Sequence, residues 1–171
     1  MYNIPDKINM FNVYQSGKQL VGVTNEVALP EINELTSEMS GAGILGAIDS
    51  PTKGQFENFE FELGFRTLYK NIFDLMVVGG ATDLTLRGAI QVTDREGFRN
   101  EIGMRVVVRG TVKGVNPGTV KQGEGTGASA KLTLTYYFIE IDGMPMIEID
   151  KLNAIYKVRG VDQLAVTKAL C

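Results

Sequence analysis

Carboxylates are the side chains in this sequence whose number and spacing could do chemistry. Glu60 and Glu62 alternate with apolar residues, as do Glu148 and Asp150, so each pair lies on one face of an extended strand. Paired carboxylates in a cleft can act as the acid and the base of a glycosidase. A solvated acidic face explains both pairs without catalysis or a metal, and we favour that interpretation.

Two absences narrow the chemistry further. The chain has no histidine, which is the commonest general base and the commonest metal ligand. Its single cysteine, Cys171, leaves no cysteine pair for a zinc site and no internal disulfide. We therefore predict no catalytic residue, no metal and no cofactor, and a protein that is not an enzyme.

Two other motifs have structural interpretations. The run Gly123-Glu-Gly-Thr-Gly lacks the lysine and the following Ser or Thr of a phosphate-binding loop, and it lies between two strands, so we interpret it as a mobile loop. Arg99, Arg105 and Arg109 form a basic stripe with no aromatic platform beside it. We favour salt bridges between subunits over contacts with nucleic acid phosphates for this stripe.

The element that must position Glu60 and Glu62 is a strand over residues 56–66. From Asn58 onward, polar residues alternate strictly with an apolar set, which is typical of a strand with one buried and one exposed face. The negative charge extends beyond this strand, because residues 25–65 hold eight acids and one lysine while the whole chain has a net charge of −3. Such segregation indicates one surface that repels polyanions and another that binds a partner or a second copy. The apolar set is Phe59, Phe61, Leu63 and Phe65.

The remaining patterns predict a mainly β fold: an antiparallel sandwich or barrel-like structure with one central and one C-terminal helix. The helices are predicted over residues 67–78, with Thr67 as the cap and Gly79 as the end, and over residues 161–170. Asp142-Gly143 predicts a tight hairpin turn. The strands are predicted over residues 8–15, 20–24, 31–40, 56–66, 84–92, 98–112, 130–141 and 144–158.

We expect one domain over residues 1–171, with long loops at about 41–53 and 114–129. The first loop is rich in glycine yet carries Ile44, Leu45 and Ile48, which are poorly placed for solvent and suit burial against another copy. The N-terminus lacks the pattern of a signal peptide, and no apolar run approaches the roughly 18 residues that span a bilayer. We therefore expect no membrane-spanning segment.

The order and spacing of several motifs resemble the major tail tube protein of contractile-tailed bacteriophages, over nearly the whole chain. The motifs that carry the resemblance are Leu29-Pro30, Ser40-Gly-Ala-Gly-Ile-Leu-Gly-Ala-Ile-Asp49, the strand from Phe56 to Phe65, Leu86-Arg-Gly-Ala-Ile90, Ile147-Glu-Ile-Asp150 and Val158-Arg-Gly-Val-Asp-Gln-Leu164.

The resemblance implies a structural virion protein whose hexameric rings stack into the hollow inner tube of a contractile tail, a conduit for DNA ejection. The implied partners are other copies of the chain, the tail sheath protein, and the tape measure, baseplate and tail terminator proteins, with DNA passing through the lumen without sequence-specific binding. The implied location is the virion tail, after assembly in the cytoplasm of the host bacterium. Carried onto this sequence, the lumen-facing residues are Glu34, Thr36, Glu38, Asn58, Glu60 and Glu62, and the inter-ring stacking residues are Gly41, Gly43, Ile44, Leu45, Ile48 and Asp49.

Three alternatives stay open at this point. The tube could belong to a phage-tail-like bacteriocin or a contractile injection particle that delivers no genome, and neighbouring genes would distinguish these. The chain could be a monomeric β-barrel that binds a small ligand in an apolar pocket, which the apolar residues of the loop at 41–53 argue against. A carboxylate enzyme has no support beyond the abundance of acids.

Overall fold

The computed structural model describes residues 3–171, which are mostly in antiparallel strands joined by short connections. The first two residues of the expected domain lie outside the described residues. The mainly β, antiparallel fold with one central and one C-terminal short helix is confirmed. In chain order the elements are β1 (Ile4–Gln15), β2 (Lys18–Leu20), β3 (Glu34–Met39), β4 (Ile48–Phe56), β5 (Phe59–Phe65), α1 (Lys70–Asp74), β6 (Thr82–Thr93), β7 (Arg99–Asn116), β8 (Ala128–Ile141), β9 (Met144–Asp150), β10 (Ile155–Val158), β11 (Val161–Asp162) and α2 (Ala165–Leu170).

The main sheet has nine strands and branches at β8. Its path runs β11-β10-β9-β8-β7-β6-β1-β2, and β5 also pairs with β8. The first half of β8 has β5 on the side opposite β7, and the second half has β9 there. The ladder of β7 and β8 shifts its register after Arg109, close to the point where the neighbours change.

The sheet closes on itself through the segment that follows β2. Val23 forms an isolated bridge with Phe65, the Thr24 amide donates to the Gly64 carbonyl at 3.0 Å, and the Arg66 amide donates to the Gly22 carbonyl at 2.9 Å. This joins β2 back to β5, so that β5, β8, β7, β6 and β1 enclose a common interior. Closure of this kind satisfies strand edges that would otherwise be left open.

The alternating apolar residues of β5 form the centre of the core. Phe59, Phe61, Leu63 and Phe65 are each at most 3% exposed. They belong to one buried cluster with the inward residues of β6, β7 and β8 and with Ile72 of the central helix. The prediction that this strand buries one face and exposes the other is confirmed by the burial pattern along β5.

Strands β3 and β4 form a separate two-stranded sheet, which we call the arm. Its root is an unusually wide bulge, because four residues of β4, Thr52 to Gln55, lie opposite the single residue Leu35 of β3. Within the bulge Gly54 has φ +76°, and a Cβ placed there would meet the side chain of Leu164 at 2.6 Å. Glycine therefore provides both the backbone conformation and the space that this contact needs.

Several predicted boundaries in the chain's long segments are wrong. The loop expected at 41–53 extends only to residue 47, because Ile48–Phe56 is a strand held by its ladder with β3. The loop expected at 114–129 is shorter at both ends, because β7 continues to Asn116 and β8 begins at Ala128. The strand expected over 144–158 is broken at Lys151–Ala154, where the Asp150 carboxylate accepts the amides of Leu152 and Asn153.

Both helices are shorter than predicted, for identifiable reasons. Helix α1 does not begin at Thr67, because the Leu68 amide donates to the Thr126 hydroxyl at 2.7 Å and Arg66 accepts from the Gly127 amide. Tyr69, in extended conformation, is its N-cap and makes no side-chain capping bond. The C-terminal helix starts four residues late, because Val161–Asp162 pairs with β10 instead.

No helix within residues 3–171 has the length and apolar character needed to cross a membrane.

Replacing Phe59 by alanine should lower the free energy of unfolding by about 3–5 kcal/mol, because the side chain is fully buried and its ring contacts those of Phe56 and Tyr137. Urea denaturation followed by circular dichroism would measure the change. The matched control on the same strand is Glu62→Gln, whose cost should stay within about 0.5 kcal/mol because the side chain is exposed. Equal costs for the two variants would contradict the assignment of the buried face.

Candidate functional site

The exposed face of β5 brings together three of the six predicted lumen residues: Asn58, Glu60 and Glu62. The Asn58 amide nitrogen donates to Glu60 Oε1 at 3.5 Å, and Glu62 Oε1 accepts the Ser129 hydroxyl of β8 at 2.7 Å. The neighbouring strands add two lysines to this face. Glu60 forms a salt bridge with Lys113 of β7, and Glu62 lies directly opposite Lys131 of β8. The face is therefore mixed in charge rather than purely acidic.

The pairing changes the acidity of Glu60. The hydrogen bond from the Lys113 ammonium, and then its positive charge, lower the pKa of the Glu60 carboxyl below its usual value, with a smaller contribution from Lys131. A lowered folded-state pKa means that the interaction is present above the ordinary carboxyl pKa and is lost as pH falls through the lowered value. Because the carboxyl is fully solvent-exposed, the pair contributes little to folding.

A groove of about 620 Å³ runs between this face and the segment that precedes the arm. Leu29, Pro30 and Glu31 line one side, and Glu60 and Glu62 line the other. The groove is open and contains both carboxylates and the exposed Lys131. It has neither the enclosure nor the apolar lining typical of a small-molecule pocket.

The other three predicted lumen residues lie on the arm, apart from the face of β5. Thr36 and Glu38 share one face of β3, and their partners on β4 are Pro51 and Asp49. Glu34 is at the root, half-buried, where its carboxylate accepts the Gly54 amide at 3.5 Å. The structure thus divides the predicted lumen residues between two surfaces, the body strand β5 and the arm.

The predicted stacking residues are likewise divided. Gly41, Gly43, Ile44 and Leu45 lie in the turn at the tip of the arm, where the Ile44 amide donates to the Gly41 carbonyl at 3.1 Å. Leu45 is fully exposed. Ile48 and Asp49 are not loop residues as expected but the first two residues of β4, so their side chains point to opposite faces of the arm.

One face of the arm is apolar and exposed. Leu35 and Met39 of β3 and Ile48 of β4 lie on the face opposite Glu38, and Ile48 pairs directly with Met39. Each is 45–49% exposed. An isolated two-stranded sheet is only marginally stable, and this one has an apolar face that nothing within residues 3–171 covers.

Much of the basic stripe that we interpreted as a source of subunit–subunit salt bridges is paired within the chain. Arg109 Nε donates to Asp83 at 2.6 Å, and Arg105 Nη2 donates to Glu140 at 2.7 Å. The hydrogen bond to Asp83 raises the pKa of the Arg109 guanidinium further. These bonds lie within one copy, and the interpretation as subunit–subunit salt bridges stays a prediction. The expected lack of aromatic neighbours is wrong, because the Arg105 guanidinium lies 5.4 Å from the centre of the Phe138 ring and that of Arg109 lies 5.2 Å from the centre of the Tyr136 ring.

The second pair of carboxylates singled out in the sequence has local structural partners. Glu148 accepts the Tyr136 hydroxyl at 3.2 Å, and Asp150 accepts the Asn153 side-chain amide at 2.7 Å. Among residues 3–171, no three His, Cys, Asp or Glu side chains come together as a metal-binding group.

Sequence reasoning missed Lys113, Lys131 and Ser129 as members of the β5 face. The alternation within β7 and β8 shows that Lys113 and Lys131 are outward residues, but not that they lie beside β5. The pairing of β5 with the first half of β8 determines that position, and a single sequence carries no signal for it.

Comparisons with known proteins agree with one another. Residues 5–170 match the family model described as phage tail tube protein FII. The chain is 31% identical over 166 residues to the tail tube protein of Escherichia phage P2, covering 94% of each chain. It is 32% identical over 168 residues to the major tail tube protein of Serratia phage KSP20, covering 92% of this chain and 90% of that one.

Replacing Lys113 by methionine should raise the pKa of the Glu60 carboxyl towards its usual value, because the donor of its strongest interaction is removed. A carbon-13 NMR titration of the glutamate carboxyls would measure the change. Lys131→Met is the matched control and should raise the same pKa less, because Lys131 acts only through its charge. An equal or larger shift in the control would show that the Glu60–Lys113 bond does not form in solution.

Proposed function

The chain belongs to the phage tail tube protein FII family, and on that premise we propose that its copies form hexameric rings that stack into the inner tube of a contractile tail. The tube is the conduit through which DNA is ejected into the host. The protein is a structural component of the phage tail. Under this proposal it is assembled in the host cytoplasm, and the sheath protein surrounds the finished tube.

The observation that carries the proposal is the arm. It leaves the body as two strands, with Leu35, Met39 and Ile48 exposed on one face and Leu45 exposed at its tip. In a monomer this two-stranded sheet leaves its apolar face exposed to solvent, whereas burial against another copy stabilises it. Both named relatives are phage proteins, which favours a tail that delivers a genome over a bacteriocin.

We place the exposed face of β5 towards the lumen. The body strand carries Glu60 and Glu62 on one face, and the opposite face is occupied by the core. Carboxylates repel DNA phosphates, while the adjacent Lys113 and Lys131 keep that repulsion moderate. A lining with little net charge suits a polyanion that must slide without binding.

The purified protein should form rings or tubes at high concentration, visible by negative-stain electron microscopy. Changing Ile44 and Leu45 together to aspartate should leave a folded subunit that does not stack, because two charges would have to be buried at the tip of the arm. The control is Val120→Asp in the 117–127 loop, a residue that is 89% exposed, and it should assemble normally. Normal stacking of the Ile44/Leu45 variant would exclude the tip as the inter-ring contact.

Changing Glu60 and Glu62 should alter DNA ejection in a graded way. The double glutamine variant leaves Lys113 and Lys131 unopposed, and the double lysine variant adds further positive charge, so phosphates should be held progressively more strongly. We expect slower ejection in the order wild type, glutamine, lysine, with the delay shrinking as salt rises. Fluorescence of released DNA from intact virions would measure the rates.

The matched control exchanges the partners of the salt bridge. Glu60→Lys combined with Lys113→Glu keeps both the pair and the net charge of the face, so ejection should return close to the wild-type rate. Wild-type rates in the double lysine variant at low salt, in virions shown to contain it, would mean that this face is not turned towards the DNA.

A further inference from the structure

Two cross-strand residue pairs, which we call rungs, hold charges of the same sign directly opposite each other. In the body, Arg87 of β6 is the cross-strand partner of Arg105 of β7. In the arm, Glu38 of β3 is the partner of Asp49 of β4. Directly opposite side chains share a face, with Cβ atoms about 4.5–5.5 Å apart, and like charges there are destabilising. The isolated subunit therefore carries two unfavourable rungs of opposite sign.

Within the chain, neither rung is relieved fully. Across residues 3–171, the side chains of Glu38 and Asp49 take part in no hydrogen bond or ion pair. Over the same residues Arg87 has no carboxylate partner, and its guanidinium lies 5.8 Å from the centre of the Tyr14 ring. Arg105 is partly compensated by Glu140, yet its Nε is buried without a hydrogen-bond partner.

The surroundings of the arginine rung leave room for an incoming strand. The next rung on the same face is Ala89 and Gly103, which carry almost no side chain. Gly103, with Gly88, Met104 and Gly143, lines a notch of about 350 Å³ beside Arg87, Arg105 and Glu140. A Cβ built on Gly103 or Gly143 would meet nothing within 4 Å, so the floor of the notch is open to the outside.

We propose that the Arg87–Arg105 notch receives the Glu38–Asp49 rung of a neighbouring copy's arm, an inference that rests on the tube assembly proposed above. Guanidinium groups bind carboxylates through paired, charge-assisted hydrogen bonds. Both rungs are pairs of directly opposite residues, whose Cβ atoms lie about 4.5–5.5 Å apart, so each carboxylate meets one guanidinium. The contact converts two repulsive pairs into attractive ones, and it gives the ring or the stack a fixed partner for the polar face of the arm.

The contact is heterologous, because the notch and the arm are different parts of the chain. Heterologous contacts repeat head to tail and generate closed rings or helical stacks rather than dimers. No hydrogen bond or ion pair joins the arm rung to the notch among residues 3–171 of a single copy. The arm rung is therefore available to a neighbour's notch, in which Arg105 also holds Glu140.

The test uses two variants of the full chain that should assemble poorly alone and better together. In the notch variant, Arg87→Glu, the salt bridge between Arg105 and Glu140 is left in place. In the arm variant, Glu38→Arg and Asp49→Arg, the sign of the arm rung is reversed. Each variant alone should raise the critical concentration for tube formation by about tenfold or more. An equimolar mixture should assemble at a lower concentration than either variant alone, because the unchanged notch of the arm variant then meets the unchanged arm of the notch variant.

Controls separate charge pairing from loss of folding and from net charge. Both variants should keep the wild-type circular dichroism spectrum and sediment as folded subunits, since the changed residues are exposed. Lys18→Glu at the start of β2 and Glu96→Arg in the turn after β6 reverse exposed charges and should assemble as wild type does. Assembly is read by analytical ultracentrifugation and negative-stain microscopy.

Four results would overturn the proposal. If either variant alone forms tubes at the wild-type concentration, the rungs do not meet, although the tube assignment stands. Blocked assembly in the notch variant alone, with normal tubes from the arm variant, would show that the notch binds something other than the arm. A mixture of folded variants that stays unassembled would show that charge pairing is not what was lost. Wild-type protein that never assembles would remove the tube assignment and this inference together.

Discussion

The rest of the structure depends on the burial of one face of β5. Phe59, Phe61, Leu63 and Phe65 fill the interior that β6, β7 and β8 enclose, and each aromatic or branched side chain buried there contributes roughly 1.5–3 kcal/mol. Because side chains alternate along a strand, this burial forces Asn58, Glu60 and Glu62 outwards. Burial of the apolar side chains of β5 thus determines which of its side chains form the exposed face that we propose meets DNA.

The body and the arm differ in whether their strand edges and apolar faces are covered within one copy. Strands of the body satisfy their edges by closing through the Val23–Phe65 bridge. The arm has two open edges, an exposed apolar face and a repulsive acidic rung, and its own residues cannot relieve any of them. In the proposed assembly, burial against neighbouring copies offsets what the arm lacks in the free chain, while the body is stable without them.

Sequence patterns predicted the features that depend on local alternation of residues. They failed for the features that depend on pairing between distant segments. The burial of the phenylalanines of β5 and the Asp142-Gly143 hairpin could be predicted, because the alternation and the turn residues that specify them lie within a few residues of each other. Strand β4 could not be predicted in this way, because Pro51 and Gly54 are typical of a loop, and the strand is held by the pairing of its residues on either side of the bulge with β3. The helix expected from Thr67 begins only at Lys70, because the Leu68 amide donates to Thr126 in a loop 58 residues away. The salt bridge of Glu60 required knowledge that β5 pairs with β8 and β8 with β7, because its partner Lys113 lies on β7.

The bulge at the root of the arm has a consequence for how such chains diverge. Four residues of β4 opposite one of β3 interrupt the ladder, and Leu164 fills the space above Gly54. A residue inserted or deleted in the arm would shift the ladder only as far as the bulge, so that the strands of the body would keep their pairing. Insertions and deletions can therefore change the length or twist of the arm, while the strands that bury the core keep their pairing register.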